Sequence, residues 1–257
     1  MKKVLPTLVI LVLIGVLGVV FYNNYFVKYT YTDDKVDLKL YYEVKGEDDY
    51  PVILQDNWSD YHARKIGEQY YLDYETVTSL LNDRFYYGEE DEELCYCLPD
   101  TRITAKAGEN VWTDSSGAET QEPYTICVKE GDTLYVALDF VRKYTNFSYE
   151  VFTEPNRMSI YNSWGERQEA EMTRDTKLRS SGGVKSKVVA EVSTGTKVAV
   201  IERMDNWSKV VTPDALIGYV ENRKMTEPTA AAMTPVTDYQ EPEYKRTALD
   251  GKVNMVW

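Results

Sequence analysis

The sequence predicts a mainly β protein with some α, laid out as an N-terminal transmembrane helix, an α+β unit of two repeats and a small β-barrel. Three observations predict it. Residues 4–21 carry no charge, a Gly-led aromatic strand pattern recurs after 64 residues, and short alternating strands separated by Gly/Ser turns begin at Met172. The 257 residues carry a net charge of -13, with 43% hydrophobic and 13% aromatic residues, three Cys and one His. That apolar content excludes a disordered chain. The charge argues against a nucleic-acid partner, because nothing neutralises a phosphate backbone. One His and three Cys make no four-ligand zinc site without carboxylates, so neither a metal nor another cofactor is expected.

The first element follows Lys2-Lys3. Eighteen helical residues from Val4 to Phe21 would span about 27 Å, close to a hydrocarbon core of about 30 Å. Phe21, Tyr22, Tyr25 and Phe26 come next, where an interfacial aromatic belt lies. The lysines favour a cytoplasmic N-terminus, so residues 1–27 read as an anchor with everything later outside. The rival is a cleaved signal peptide, but no small-residue cleavage site follows the run. Both place the remainder in an extracytoplasmic, disulfide-permissive space.

Acidity concentrates in residues 33–164, with 28 Asp and Glu against 12 Lys and Arg, whereas residues 172–227 have 7 against 10. The sign change marks two domains. In the acidic part, Gly67-Glu-Gln-Tyr-Tyr-Leu and Gly131-Asp-Thr-Leu-Tyr-Val open matching segments. Tyr71 aligns with Tyr135, Leu72 with Val136, Val77 with Val141 and Asn82 with Asn146. Each unit predicts a strand, a short helix (74–81 and 138–144) and a hairpin. The hairpins are 84–87 with 93–98, and 147–152 with 157–161. This pattern resembles the copper amine oxidase N-terminal-like domains, and the resemblance implies a non-catalytic stalk. The run Glu89-Glu90-Asp91-Glu92-Glu93 reads as a solvated hairpin tip, and His62 as a surface residue rather than a ligand. Cys95 and Cys97 share a strand face. Either can meet Cys127 on a neighbouring strand, with Cys97–Cys127 the expected bridge and three free thiols the alternative.

From Met172, a strand entering a Gly/Ser turn is expected at 177–183 and further strands at 187–192, 197–202, 206–210 and 217–220, a spacing suited to a small barrel. The run Leu178-Arg179-Ser180-Ser181, then Val188 to Val200, then Trp207-Ser-Lys-Val and Gly218-Tyr-Val closely resembles the bacterial SH3-like domain. Gly183 stands where many members have Pro. The resemblance implies binding of cell-wall peptidoglycan peptides or glycan, or a spacing role. Arg179, Lys185 and Lys187 are candidates to pair with wall carboxylates, and Trp207 and Tyr219 to stack on sugar or peptide. The same two aromatics also supply the bulk such a small core needs.

Residues 228–250 read as a linker. Residues 251–257 end in Lys252-Val-Asn-Met-Val-Trp257, similar to the first barrel strand of glycoside hydrolase family 18. The acidic catalytic signature of that family does not occur, and one His serves no convincing nucleophile, so no catalytic residue is assigned. Two roles remain open: the anchoring and wall-targeting region of a family 18-like chitinase or peptidoglycan hydrolase, or a complete non-enzymatic wall-binding adaptor in the membrane.

Overall fold

A computed structural model describes residues 4–98, 101–234 and 239. The expected strand at 251–257 lies outside the described residues. The helix Val4–Phe21 continues through Tyr22–Val27 with a wider turn. Val9–Val27 is long and apolar enough to cross a membrane, with a mean hydropathy of 2.0. Its end carries stacked rings, Phe21 on Tyr25 at 4.8 Å and Tyr22 on Phe26 at 6.0 Å.

The chain divides into two compact units. One contains residues 44–151 and 156–164 and is built from two sheets. Its strands are β1 (Asp49–Leu54), β2 (Asn57–Ile66), β3 (Gln69–Asp73), β4 (Phe85–Gly88), β5 (Glu93–Cys97) and β6 (Arg102–Lys106). There follow β7 (Val111–Thr113), β8 (Glu119–Gln121), β9 (Cys127–Glu130), β10 (Thr133–Ala137), β11 (Ser148–Phe152) and β12 (Arg157–Tyr161). A seven-stranded sheet runs β11-β12-β1-β2-β3-β10-β9, and β4 to β8 form a five-stranded meander.

The internal repeat sets the centre of the larger sheet. β3 and β10 pair antiparallel with Leu72 opposite Val136, so the two equivalent residues face each other across a local two-fold. Each strand is fed by a two-residue hairpin loop led by Gly, at φ +62 for Gly67 and +60 for Gly131. Only Gly takes that conformation cheaply. Each strand also runs into a helix: Tyr74–Thr76 extended by Val77–Leu81, and Leu138–Val141. Asp73 caps the first helix, accepting from Thr76 N at 2.8 Å. The symmetry then breaks, because the first hairpin (β4–β5) starts the meander while the second (β11–β12) joins the sheet edge. Phe85, Tyr96, Phe140 and Tyr144 knit the core, with centroids between 4.5 and 6.4 Å apart.

The acidic run is the exposed β4–β5 tip, as expected. His62 lies on β2, its Nδ1 2.9 Å from Asp49 Oδ1. The Cys97–Cys127 bridge does not form, and all three thiols are free. β5 pairs with β4 and β6, whereas β9 pairs with β10 in the other sheet, so the two cysteines are on no neighbouring strands. Burial pushes the Cys127 thiol up to about 12.

The second unit contains residues 1–43, 152–155 and 165–233. Its strands are β13 (Glu166–Glu171), β14 (Thr176–Arg179), β15 (Val188–Val192), β16 (Lys197–Arg203), β17 (Trp207–Val211), β18 (Ile217–Glu221) and β19 (Thr229–Ala232). The five strands expected between 177 and 220 are all present. The barrel is not closed: the sheet order is β15-β14-β18-β17-β16-β13-β19. A strand has two edges, and the edges that would close the ring are already taken. β13 occupies the free edge of β16, and residues 34–36 occupy that of β15. The stretch read as the start of a linker is β19, paired through Ala230–Ala232 and Thr229 with β13.

Candidate ligand-binding face

Side chains two apart on a strand share a face. On β17 and β18 this sets Trp207 and Lys209 beside their cross-strand partners Glu221 and Tyr219, and Tyr219 in turn opposes Arg179 on β14. The loop from β14 to β15 carries Lys185 and Lys187. It is held by Gly183 N donating to Ser181 O at 2.9 Å and by Ser186 N donating to Gly183 O at 3.1 Å. Gly182 of this loop lies against Trp207, where an added Cβ would meet the indole Cγ at 3.3 Å and Met204 Cε at 3.4 Å. Trp207 and Tyr219 are half-buried, Met204 is exposed, and Lys185 and Lys187 are exposed. The five residues singled out from the sequence therefore gather around one loop and one sheet face, with unequal freedom.

Residues 174–225 match the bacterial SH3 domain family. No curated protein and no solved structure matches the chain. The SH3 match covers well under half of the sequence, and its last residue, Met225, forms an antiparallel bridge with Met172, two residues before it begins.

Arg179 of this SH3 domain is committed to the fold. It is 2% exposed, and its Nη1 donates to Thr32 O at 3.0 Å and to Ser186 O at 2.7 Å. The guanidinium lies over the Tyr31 ring, 5.2 Å from its centroid. Tyr31 OH donates to Glu221 Oε1 and accepts from Arg223 Nη2, both at 2.8 Å. Burial and the Glu221 carboxylate raise the Tyr31 phenol. Burial alone would raise Glu221 as well, but hydrogen bonds from Lys224 and Tyr31 prevail and hold its carboxyl below the usual range. Lys177 and Asp33 pair at 2.6 Å. Tyr31, Asp33, Lys177, Arg179, Arg223 and Lys224 line a mixed-charge cavity of about 540 Å³.

The residues that sequence reasoning missed lie in a strap just after the helix, at 31–42. Val36 N donates to Val188 O and Val188 N to Asp34 O, at 2.9 and 2.7 Å, so the strap runs parallel to β15. Asp37 then caps a helical turn, Leu38–Tyr41, accepting from Lys39 N at 3.0 Å. That turn sends two tyrosines inward. Tyr41 OH donates to Ile217 O at 3.2 Å, and Tyr42 OH accepts from Ile217 N at 2.8 Å. Burial, with Tyr219 nearby, pushes the Tyr41 phenol up to about 12. The only local signal in the sequence was Asp37 placed to cap a short turn ending in a tyrosine pair.

Proposed function

We propose that this chain is the anchoring and wall-engaging region of a bacterial envelope protein. The apolar helix holds it in the membrane as a single-pass protein, and the SH3 domain binds peptidoglycan or its glycan outside. The acidic unit is a non-catalytic stalk domain. The observation that carries this reading is the SH3 family match in the same chain as an apolar helix of membrane-spanning length. Bacterial SH3 domains are commonly wall-binding modules. Among the five candidates, Trp207 and Tyr219 remain suited to wall contact, while Arg179 acts by shaping the face and Lys185 and Lys187 stand exposed on the loop it holds. Trp207 is the anchor of that face, a ledge beside Gly182, since a half-buried indole offers a rigid apolar surface for a sugar or peptide.

A finer proposal follows from residues 252–257. Their likeness to the opening strand of a family 18 glycoside hydrolase suggests that a catalytic domain of that kind follows the region described here, kept near polymeric substrate by the tether.

The test is co-sedimentation of the detergent-solubilised chain with purified peptidoglycan. Trp207→Ala is expected to weaken retention about tenfold or more, the loss of a central aromatic contact, with far-UV circular dichroism unchanged. Retention equal to that of the unaltered chain, or none by either protein, would overturn the wall-binding reading.

A further inference from the structure

The strap fixes where one loop of the SH3 domain lies relative to the anchor. The helix runs to Tyr29, two residues past the apolar span that ends at Val27. Thr32 follows three residues later, so it sits no more than about 14 Å of chain from the end of that span. Thr32 N donates to Val184 O at 3.0 Å, which ties the loop 181–187 to this point. Tyr22, Tyr25, Phe26 and Tyr29 are exposed around the end of that span, where aromatic side chains mark a bilayer interface.

Cations collect at that level although the whole chain is strongly acidic. Lys28, Lys35, Lys185 and Lys187 are all exposed, and none is in an ion pair among the described residues. The nearby carboxylates are mostly engaged, Asp37 by the Lys39 and Leu40 amides it caps. Asp33 is bound to Lys177, Glu221 to Arg223 and Lys224, and Asp34 faces solvent beside Val188. The headgroup layer extends about 5–7 Å beyond the hydrocarbon and a Debye length is about 8 Å at physiological salt, so cations within about 14 Å of the end of the span still feel its charge.

We infer that Lys185 and Lys187, with Lys28 and Lys35, form a membrane-facing patch that contacts anionic lipid headgroups and seats the SH3 domain on the bilayer. The inference rests on the anchoring reading above and adds a partner to it. Trp207 remains the wall-contacting ledge.

The test uses the full chain reconstituted in vesicles of phosphatidylcholine alone, or of phosphatidylcholine with an equimolar share of phosphatidylglycerol. Lysine acetylation is followed residue by residue by mass spectrometry. Lys197, exposed on β16 and four strands from β15 in the sheet, is the internal reference. In the anionic vesicles, acetylation of Lys185 and Lys187 is expected to slow about fivefold relative to Lys197, the effect of roughly 1 kcal/mol per lysine near such a surface. High salt restores the rate. Equal labelling in both vesicles, or slowing of Lys197 to the same degree, overturns the patch. Vesicle flotation separates this outcome from failure of the anchor: a chain that does not float with either vesicle contradicts the anchoring reading itself.

Discussion

Tyr42→Ala is expected to destabilise the SH3-containing unit by about 4 kcal/mol. Tyr42 is 1% exposed, and its hydroxyl satisfies Ile217 N at 2.8 Å in the middle of the unit. Removing a buried ring costs about 3–5 kcal/mol, and the stranded amide adds to that. Tyr42→Phe separates the two contributions. It keeps the ring, leaves Ile217 N without its acceptor and is expected to cost about 1–2 kcal/mol. Urea denaturation of the chain in detergent, read at residues of β17 and β18 by hydrogen exchange, measures both. A loss below about 1 kcal/mol for the alanine variant would mean that the strap only lies against the surface.

Gly218→Ala carries the second large effect. An added Cβ at 218 would lie 2.6 Å from Leu178 Cγ and 2.7 Å from Arg179 O. The first contact is with a side chain that can move, but the second is with the backbone of the paired strand. Forcing β14 and β18 apart disturbs the register Arg179↔Tyr219 and the loop that Arg179 holds. Overpacking of this kind costs about 1–3 kcal/mol. We expect the upper end of that range, with the thermal midpoint lowered. The double variant Leu178→Ala/Gly218→Ala is expected to recover little, because shortening Leu178 leaves the carbonyl where it is. Full recovery would show that the side chain, not the strand approach, makes Gly218 necessary.

Local pattern made much of this molecule readable. The alternating runs and Gly/Ser turns of residues 177–220 marked all five SH3 strands, because alternation and tight turns are properties of adjacent residues. The 64-residue repeat was equally visible, and the pairing of Leu72 with Val136 gives it a structural meaning. Sequence separation hid the rest. Nothing near Val188 announces that Asp34 and Val36 will take its edge, and nothing near Lys197 announces β13. Without those edge strands a closed barrel was the natural expectation, whereas with them the edges are occupied and the sheet stays open. The thiols erred for the same reason. Cys97 and Cys127 look like partners in a chain of hairpins, yet the meander β4 to β8 forms its own sheet and separates them.

At the candidate face, residue type singled out five residues that lie around one loop and one sheet face, but it carried no sign of which of them is buried. Arg179 looked like a ligand contact because a cation beside aromatics so often is one. Its burial under Thr32 O and Tyr31 turns it into a brace for the loop that bears Lys185 and Lys187. The match to the SH3 family begins at residue 174 and therefore omits the segment that supplies this brace.

The central claim is that residues 31–42 belong to the SH3 fold rather than to a passive tether. Amide hydrogen exchange on the full chain in detergent micelles tests it most directly. Val36 N, Val188 N and Ile217 N each bond across the junction between strap and domain. Protection of Val36 comparable to that of the β17–β18 amides, with Val188 and Ile217 exchanging alongside it, is the predicted result. Exchange of Val36 at the rate of an open chain, while β17 and β18 stay protected, would contradict the account.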